Sequence, residues 1–168
     1  MTHSPLFSVV PARRLMGRLP DNRDLLEAIE AVCRSEAVEA AVFHLTGTIS
    51  GLTVGSYDAT QQVWVTAQVP GPLEIVTCTG QVCRQEGDLK ASARILVVDT
   101  HGGLHGGRIF SETVAFAVEI DIEFFDGHGP IRIYDAGTGL WRLPLGPFAH
   151  GFRNGLEHEI PSTNEEAV

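Results

Sequence analysis

Apolar and polar residues alternate with a period of two along most of the chain, and one stretch near the start carries a helical period instead. Phe7 to Val10 and Arg14 to Leu19 read as an opening strand broken at Pro11. Pro20-Asp21-Asn22 then signals a helix start, with Asp21 or Asn22 placed to accept the orphan amide protons of the first turn. Leu25, Ile29 and Val32, with Leu26 and Cys33 beside them, fall at helical spacing. They predict an amphipathic helix over Asp24 to Ser35, with Glu27, Glu30 and Arg34 in solvent.

From Val38 onward the pattern predicts strands: Ala40 to Ile49, Leu52 to Tyr57, Val63 to Val69, Leu73 to Val82, Ala91 to Val98, Arg108 to Phe110 and Thr113 to Phe125. Turn chemistry separates them at Ser50-Gly51, Asp58-Ala59, Pro70-Gly71-Pro72, Gln85 to Asp88 and Asp99 to Gly107. Ile131 to Tyr134 adds one more strand, and Gly137 to Trp141 reads as a turn capped by an anchoring aromatic. One helix against many hairpin-connected strands predicts an α+β fold with a curved, largely antiparallel β-sheet. Residues 1–145 read as one domain, and 146–168, without a sustained period, as an irregular or partner-wrapped tail.

At 168 residues, 43% hydrophobic and 20% charged, the chain is long enough to bury a single core. No apolar run reaches 18 residues and the first residues lack signal-peptide order, so a cytoplasmic protein without a membrane partner is expected. Cys33, Cys78 and Cys83 are odd in number and lack Cys-x-x-Cys spacing, so they read as reduced thiols. The net charge is −9 and the basic residues are scattered; Arg13-Arg14 is the only adjacent pair and Lys90 the only lysine. A nucleic-acid surface needs clustered cations, so direct nucleic-acid binding by this chain is not expected.

The run from Leu89 to Ile109 carries the most specific pattern: an apolar strand, then Asp99, a glycine-rich turn, and Gly106-Gly107 ahead of a second strand. Glycines there permit a turn or a close backbone approach that a Cβ would block. The order RDLLEAIEAV, AAVFHLTGTISGLTVGSYD, PGPLEIVTCTG and ILVVDTHGGLHGGRI resembles the PPC (plants and prokaryotes conserved) domain over roughly Arg14 to Leu143. Gly71, Glu74 and Ile75 match the family's Gly-Arg-Phe-Glu-Ile-Leu segment. The resemblance implies an α/β subunit assembling as a homotrimer, with the glycine-rich turn near the subunit contacts; in plants such domains accompany AT-hook DNA-binding motifs.

The resemblance also implies a metal site, because prokaryotic members carry a His-x-His pair ahead of the Asp and a Gly-Gly-His after it, a set similar to the zinc ligands of acetolactate decarboxylases. Counting from Asp99 puts Ser92 and Arg94 at the pair and Arg108 at the third position. Arginine has no lone pair to donate at ordinary pH, so no metal or other cofactor is expected.

Alternation puts Ser92 and Arg94 on one face of their strand, with Arg108 returning toward them. Two readings stay open: an anion pocket between subunits, built from Ser92, Arg94, Arg108, His44 and Glu74 around the turn frame of Asp99, Gly106 and Gly107; or internal salt bridges to Glu74, Asp99, Glu112, Glu119 or a neighbouring subunit. His44 reads as a core or interface residue that could face the same cavity, and His101 and His105 as surface histidines. His3, His128, His150 and His158 carry no specific signal. Glu119, Asp121 and Glu123 read as the solvated side of a half-buried strand. No nucleophile elbow, phosphate loop or dinucleotide fingerprint is present, and no catalytic residue is assigned. The chain leans away from enzymatic activity. Three classes remain: a homotrimeric interaction, scaffold or regulatory module with a degenerate metal site; a binder of a small anion; and a residual lyase-like enzyme or DNA-associated regulator.

Overall fold

Ser50-Gly51 and Pro70-Gly71-Pro72, whose chemistry suggests chain reversals, lie instead inside two unbroken strands. The computed structural model describes residues 6–145, so the expected tail at 146–168, with His3, His150 and His158, lies outside the described residues. The unit Ser8–Pro144 contains β1 (Val10–Arg18), α1 (Leu25–Ser35), β2 (Ala41–Asp58), β3 (Val63–Gln85), β4 (Asp88–Val98), β5 (Leu104–Ile109), β6 (Val114–Asp126), β7 (Ile133–Asp135) and β8 (Leu140–Arg142).

Six strands form one antiparallel sheet in the order β1-β6-β2-β3-β4-β5, and β5 also pairs back onto β2. The α+β architecture matches the expectation, but the long strands correct four of the expected boundaries. In β2 and β3 the register moves from Ile49 opposite Leu73 to Gly51 opposite Pro70. This bulge bends both strands at one level without reversing them. A Cβ on Gly71 would stand 2.5 Å from the Ser50 carbonyl oxygen, so only glycine fits where the strands cross so closely. Pro11 likewise marks a bulge within β1. Gly106 and Gly107 sit inside β5, opposite Leu96 and Ile95, and the turn after Asp99 is correspondingly shorter.

The helix occupies the expected stretch, but neither Asp21 nor Asn22 caps it. Asp24 is the cap: its Oδ1 accepts from the Glu27 amide at 3.1 Å and its Oδ2 from the Glu112 amide at 2.8 Å. One carboxylate therefore starts the helix and pins it to the β5–β6 connection. Leu25, Ile29 and Cys33 are fully buried against the inner sheet face, where they meet Phe43, Leu45, Ile49, Leu73, Val82, Val97, Ile122 and Phe124. Glu30, on the helix, accepts from the Ala91 amide of β4 at 3.0 Å. Burial holds the Cys33 and Cys78 thiols up at about 12, and all three cysteines are free and buried.

Along β6 the alternation places Ile120, Ile122 and Phe124 inside and Glu119, Asp121 and Glu123 on the opposite face, as the pattern predicts. That acidic side is not merely solvated, because Arg14 of the exposed strand β1 donates to Asp121 through Nε at 2.6 Å. The expected strand at Ile131 to Tyr134 is β7, starting two residues later and ending one later, and the expected aromatic-capped turn overlaps β8. Asp135 accepts from the Gly137 amide and the Thr138 hydroxyl, which closes a hairpin where the pattern suggested only a turn. Among the described residues no helix is long and apolar enough to cross a membrane.

Gly47 has φ +108°, and a Cβ there would lie 2.1 Å from the Ala117 carbonyl oxygen. Gly47→Ala should cost at least about 1–3 kcal/mol in backbone strain alone. Gly17→Ala, where a Cβ meets nothing within 4 Å, should stay within about 0.5 kcal/mol. Urea denaturation of the two variants against the parent chain checks the contrast.

Candidate functional site

The turn between β4 and β5 is organised by one side chain. Asp99 Oδ1 accepts from the amides of His101 and Gly103, both at 2.8 Å, and Oδ2 meets His105 Nε2 at 2.9 Å. The His105 contact and then the two amides hold the Asp99 carboxyl down at about 2. A Cβ on Gly103 would fall 2.5 Å from Asp99 Oδ2, and one on Gly107 would fall 2.8 Å from the Gly55 carbonyl oxygen. The frame thus fixes the relative position of β4, β5 and β2. His105 is correspondingly not a free surface histidine, whereas His101 is exposed.

That positioning sets Arg94 of β4 directly opposite Arg108 of β5. Like charges facing each other across a ladder are unfavourable, and the fold holds them by other means. Arg108 lies over the Trp64 ring at 5.0 Å from its centroid and near Phe110 at 6.0 Å. Gly55 makes room for that stack, since a Cβ there would come within 2.6 Å of the Phe110 ring. Burial, then the charges of Arg132 and Arg94, push the Arg108 guanidinium down from its ordinary value.

Arg132 is the functional candidate that sequence reasoning missed. It is 8% exposed, and neither its Nε nor its Nη2 has a hydrogen-bond partner among the described residues. The guanidinium also meets the Cys83 thiol, but a buried cation with two unpartnered donor atoms still carries a large desolvation penalty. Its backbone amide donates to the Arg84 carbonyl at 2.8 Å, which fixes the residue beside β3.

Arg94, Arg108 and Arg132 share a cavity of about 730 Å³ with Ser92, His44, Thr79 and Gln81. Tyr57, Trp64 and the β8 residues Leu140, Trp141 and Arg142 complete its walls. No described carboxylate lines it, and among the described residues no Asp or Glu ion-pairs with Arg94, Arg108 or Arg132. Arg142 is the fourth guanidinium and is paired, with Asp135 at 2.6 Å. A chain of net charge −9 therefore gathers four of its 12 basic side chains around one cavity that no described carboxylate lines. The hairpin over it is tied down by Tyr57, whose hydroxyl donates to the Thr138 carbonyl, and by Gln62, which donates to the Gly137 carbonyl at 2.9 Å.

Of the residues expected in the pocket, Ser92, Arg94, Arg108 and His44 come together, while Glu74 lies elsewhere. Glu74 pairs across to Val98, four residues along β4 from Arg94, which at about 3.3 Å per residue puts it roughly 13 Å away. His44 is exposed at the cavity wall and is not a core residue. The expected internal partners of the arginines are engaged otherwise: Asp99 with its turn and Glu112 with Gln68.

A six-stranded antiparallel sheet with one helix, and a cavity beside the β4–β5 strand pair, define a small α+β protein. The chain belongs to the Plants and Prokaryotes Conserved (PCC) domain family, whose model matches residues 8–126. It is similar to the solved structure of the metal-containing protein AF0104 from Archaeoglobus fulgidus, with 26% identity, covering 82% of this chain and 97% of that one, at a TM-score of 0.77. It is also similar to a PPC protein of Pyrococcus horikoshii, at 22% identity, 80% and 94% coverage and a TM-score of 0.74. A Bacteroides thetaiotaomicron protein proposed to bind DNA shares the fold at 14% identity, with 82% and 97% coverage and a TM-score of 0.72. No curated protein sequence matches the chain.

The residues present do not fit the metal that the resemblance implies. Ser92, Arg94 and Arg108 occupy the three expected positions, and guanidiniums repel a cation. Among the described residues no group of three or more His, Cys, Asp or Glu side chains is arranged to hold a metal ion.

Asp99 also makes a pH prediction. Its carboxyl titrates at about 2, below its ordinary 3.8, so its stabilising contribution is complete above about pH 4 to 5 and is lost as pH falls toward 2. Asp99→Asn should be less stable than the parent at pH 6, and the gap should close toward pH 2 to 3. Urea midpoints measured at pH 6, 4 and 3 give the comparison.

Proposed function

We propose that this chain is a cytoplasmic, homotrimeric regulatory or interaction module, without catalytic residues of its own, that binds a small anion where its family resemblance implies a metal. One observation carries the reading: Arg94, Arg108 and Arg132 converge on a cavity that no described carboxylate lines. Planar guanidinium forks take carboxylates and phosphates bidentately, and in a half-buried site such contacts are stronger than at a surface. Arg132 is buried and Arg108 half-buried, so both cost stability in the absence of a ligand, as binding sites commonly do, whereas Arg94 is exposed at the cavity. The guanidiniums all come from one chain, so no second copy has to supply them.

The trimer rests on apolar surface that one chain leaves uncovered. Met16, Val76, Leu104 and Phe116 are 80%, 55%, 63% and 58% exposed, and apolar exposure of this extent favours association. Direct binding to duplex DNA does not follow, because the net charge of −9 opposes a polyanion and the gathered arginines line a cavity, not an outer stripe.

A thermal-shift and calorimetric titration with inorganic phosphate tests the reading. At a hundredfold excess over the dissociation constant, the ligand should stabilise the fold by roughly 2.7 kcal/mol. Arg94→Ala and Arg132→Gln should each remove that shift. Arg108→Leu should remove it too while raising the stability of the ligand-free protein by about 1 kcal/mol, because a desolvated like-charge contact disappears. A ligand-free stability that falls in all three variants, with no response to any anion in the parent, would mean that the arginines are structural. Light scattering should give about 54 kDa, three times the 18.1 kDa chain; a monomer at micromolar concentration removes the trimer.

A further inference from the structure

The cavity is far larger than an inorganic anion requires. At about 730 Å³ it falls within the range of pockets that enclose whole organic ligands. Its lining is of two kinds, charged and aromatic, interleaved where Arg108 lies over Trp64. Three guanidiniums form the charged part. The rings of Tyr57 and Trp141, with Leu140, supply an aromatic and apolar part.

Each part restricts the ligand. A lone carboxylate carries one negative charge and satisfies one guanidinium fork, which would leave two of the three arginines uncompensated. A phosphate monoester carries about −1.5 to −2 charges near pH 7 and presents three strong acceptor oxygens, enough to reach three guanidiniums at once. The orphaned Nε and Nη2 of Arg132, 8% exposed, are the donors most in need of such acceptors. In the aromatic part, planar rings take planar partners, and stacking of a base on an aromatic side chain is a common source of affinity without sequence readout. Trp64 is covered by Arg108 at 5.0 Å and flanked by the Tyr57 and Phe110 rings, whereas Trp141 has one ring neighbour among the described residues, Tyr134 tilted against it at 5.5 Å, so Trp141 is the less covered of the two tryptophans. Its hairpin and Arg132 lie beyond residue 126, where the family match ends.

We infer that the ligand is a phosphate monoester joined to a planar aromatic ring, a molecule of the size and chemistry of a mononucleotide, with its phosphate among Arg94, Arg108 and Arg132 and its ring against Trp141. This rests on the anion-pocket reading and narrows it. The phosphate end is the anchor, and the ring end selects among phosphates.

Both tryptophans of the chain line this cavity, so intrinsic fluorescence reports directly on occupancy. The full-length protein is titrated with AMP, ribose 5-phosphate, inorganic phosphate and adenosine, by fluorescence and by calorimetry. AMP should quench the fluorescence and bind about tenfold or more tightly than ribose 5-phosphate; adenosine should bind poorly. Trp141→Ala should reduce AMP to the affinity of ribose 5-phosphate while leaving the latter unchanged, and Trp141→Phe should restore part of the difference. Arg132→Gln should weaken AMP and ribose 5-phosphate by the same factor, with Arg94→Gln as the substitute should that variant fail to fold. Equal affinities for AMP, ribose 5-phosphate and phosphate would overturn the aromatic ligand while leaving the anion pocket standing. Adenosine binding as tightly as AMP, or no binding by any phosphate, would overturn both.

Discussion

The structure depends on one strand serving three neighbours. β2 pairs with β3 along one edge, while its other edge pairs with β6 as far as Gly51 and with β5 from Val54. The change of partner is possible because β2 and β3 bend together at Ser50-Gly51 and Gly71. A straight β2 would have carried β6 to its end and left β5 an edge strand attached to β4 alone. With the bend, β5 is held from both sides, Arg108 is fixed over Trp64 and against Arg94, and the cavity acquires its charged side. The glycines at the crossing are therefore as important to the site as the arginines in it.

Electrostatics at this site run against the charge of the molecule as a whole. The surface is acidic on balance, and several arginines outside the cavity are neutralised locally: Arg13 by Glu36, Arg14 by Asp121, Arg18 by Asp21 and Arg84 by Glu39. Those that face the cavity from β4, β5 and the segment before β7 are not. Where a set of imidazoles on the same backbone would attract a cation, guanidiniums at the same positions reverse the preference. The supporting carboxylate, Asp99, keeps its place because its task is to hold the turn.

The parts that were legible in the sequence were those where a period and a local rule agree. Leu25, Ile29 and Cys33 mark the buried face of α1, and Ser92 and Arg94 share a strand face with Arg108 returning beside them. Boundaries were misread where turn-forming residues serve a bulge, because Ser-Gly and Pro-Gly-Pro relieve crowding in a coiled strand pair as readily as they reverse a chain. Asp21 was a plausible cap by composition, but Asp24 serves the helix and the Glu112 amide together, a long-range contact that no local pattern contains. Glu74 was close in the motif and distant in space, since separation along a strand grows by a fixed rise. Arg132 and Trp141 carried only local signals, a short strand and an anchoring aromatic, and nothing tied them to the cavity: Arg132 precedes β7 and Trp141 lies in β8, strands of three residues too short for a period, and both meet the cavity only through the fold.

Strand β1 has a further consequence, for solubility. It is the end strand of the six-stranded sheet, it is exposed along all nine residues, and it carries Val10, Leu15 and Met16. Such an edge is a template onto which another chain could add by backbone pairing. Pro11 withholds one amide donor, the bulge between Pro11 and Arg13 breaks the regular spacing, and Arg13, Arg14 and Arg18 place three cations along the strand. Continuous edge-to-edge addition would meet a missing hydrogen bond, a kink and a row of ion-paired charged side chains whose hydration it would strip. The strand can thus complete its own sheet while discouraging the growth of fibres from its open side.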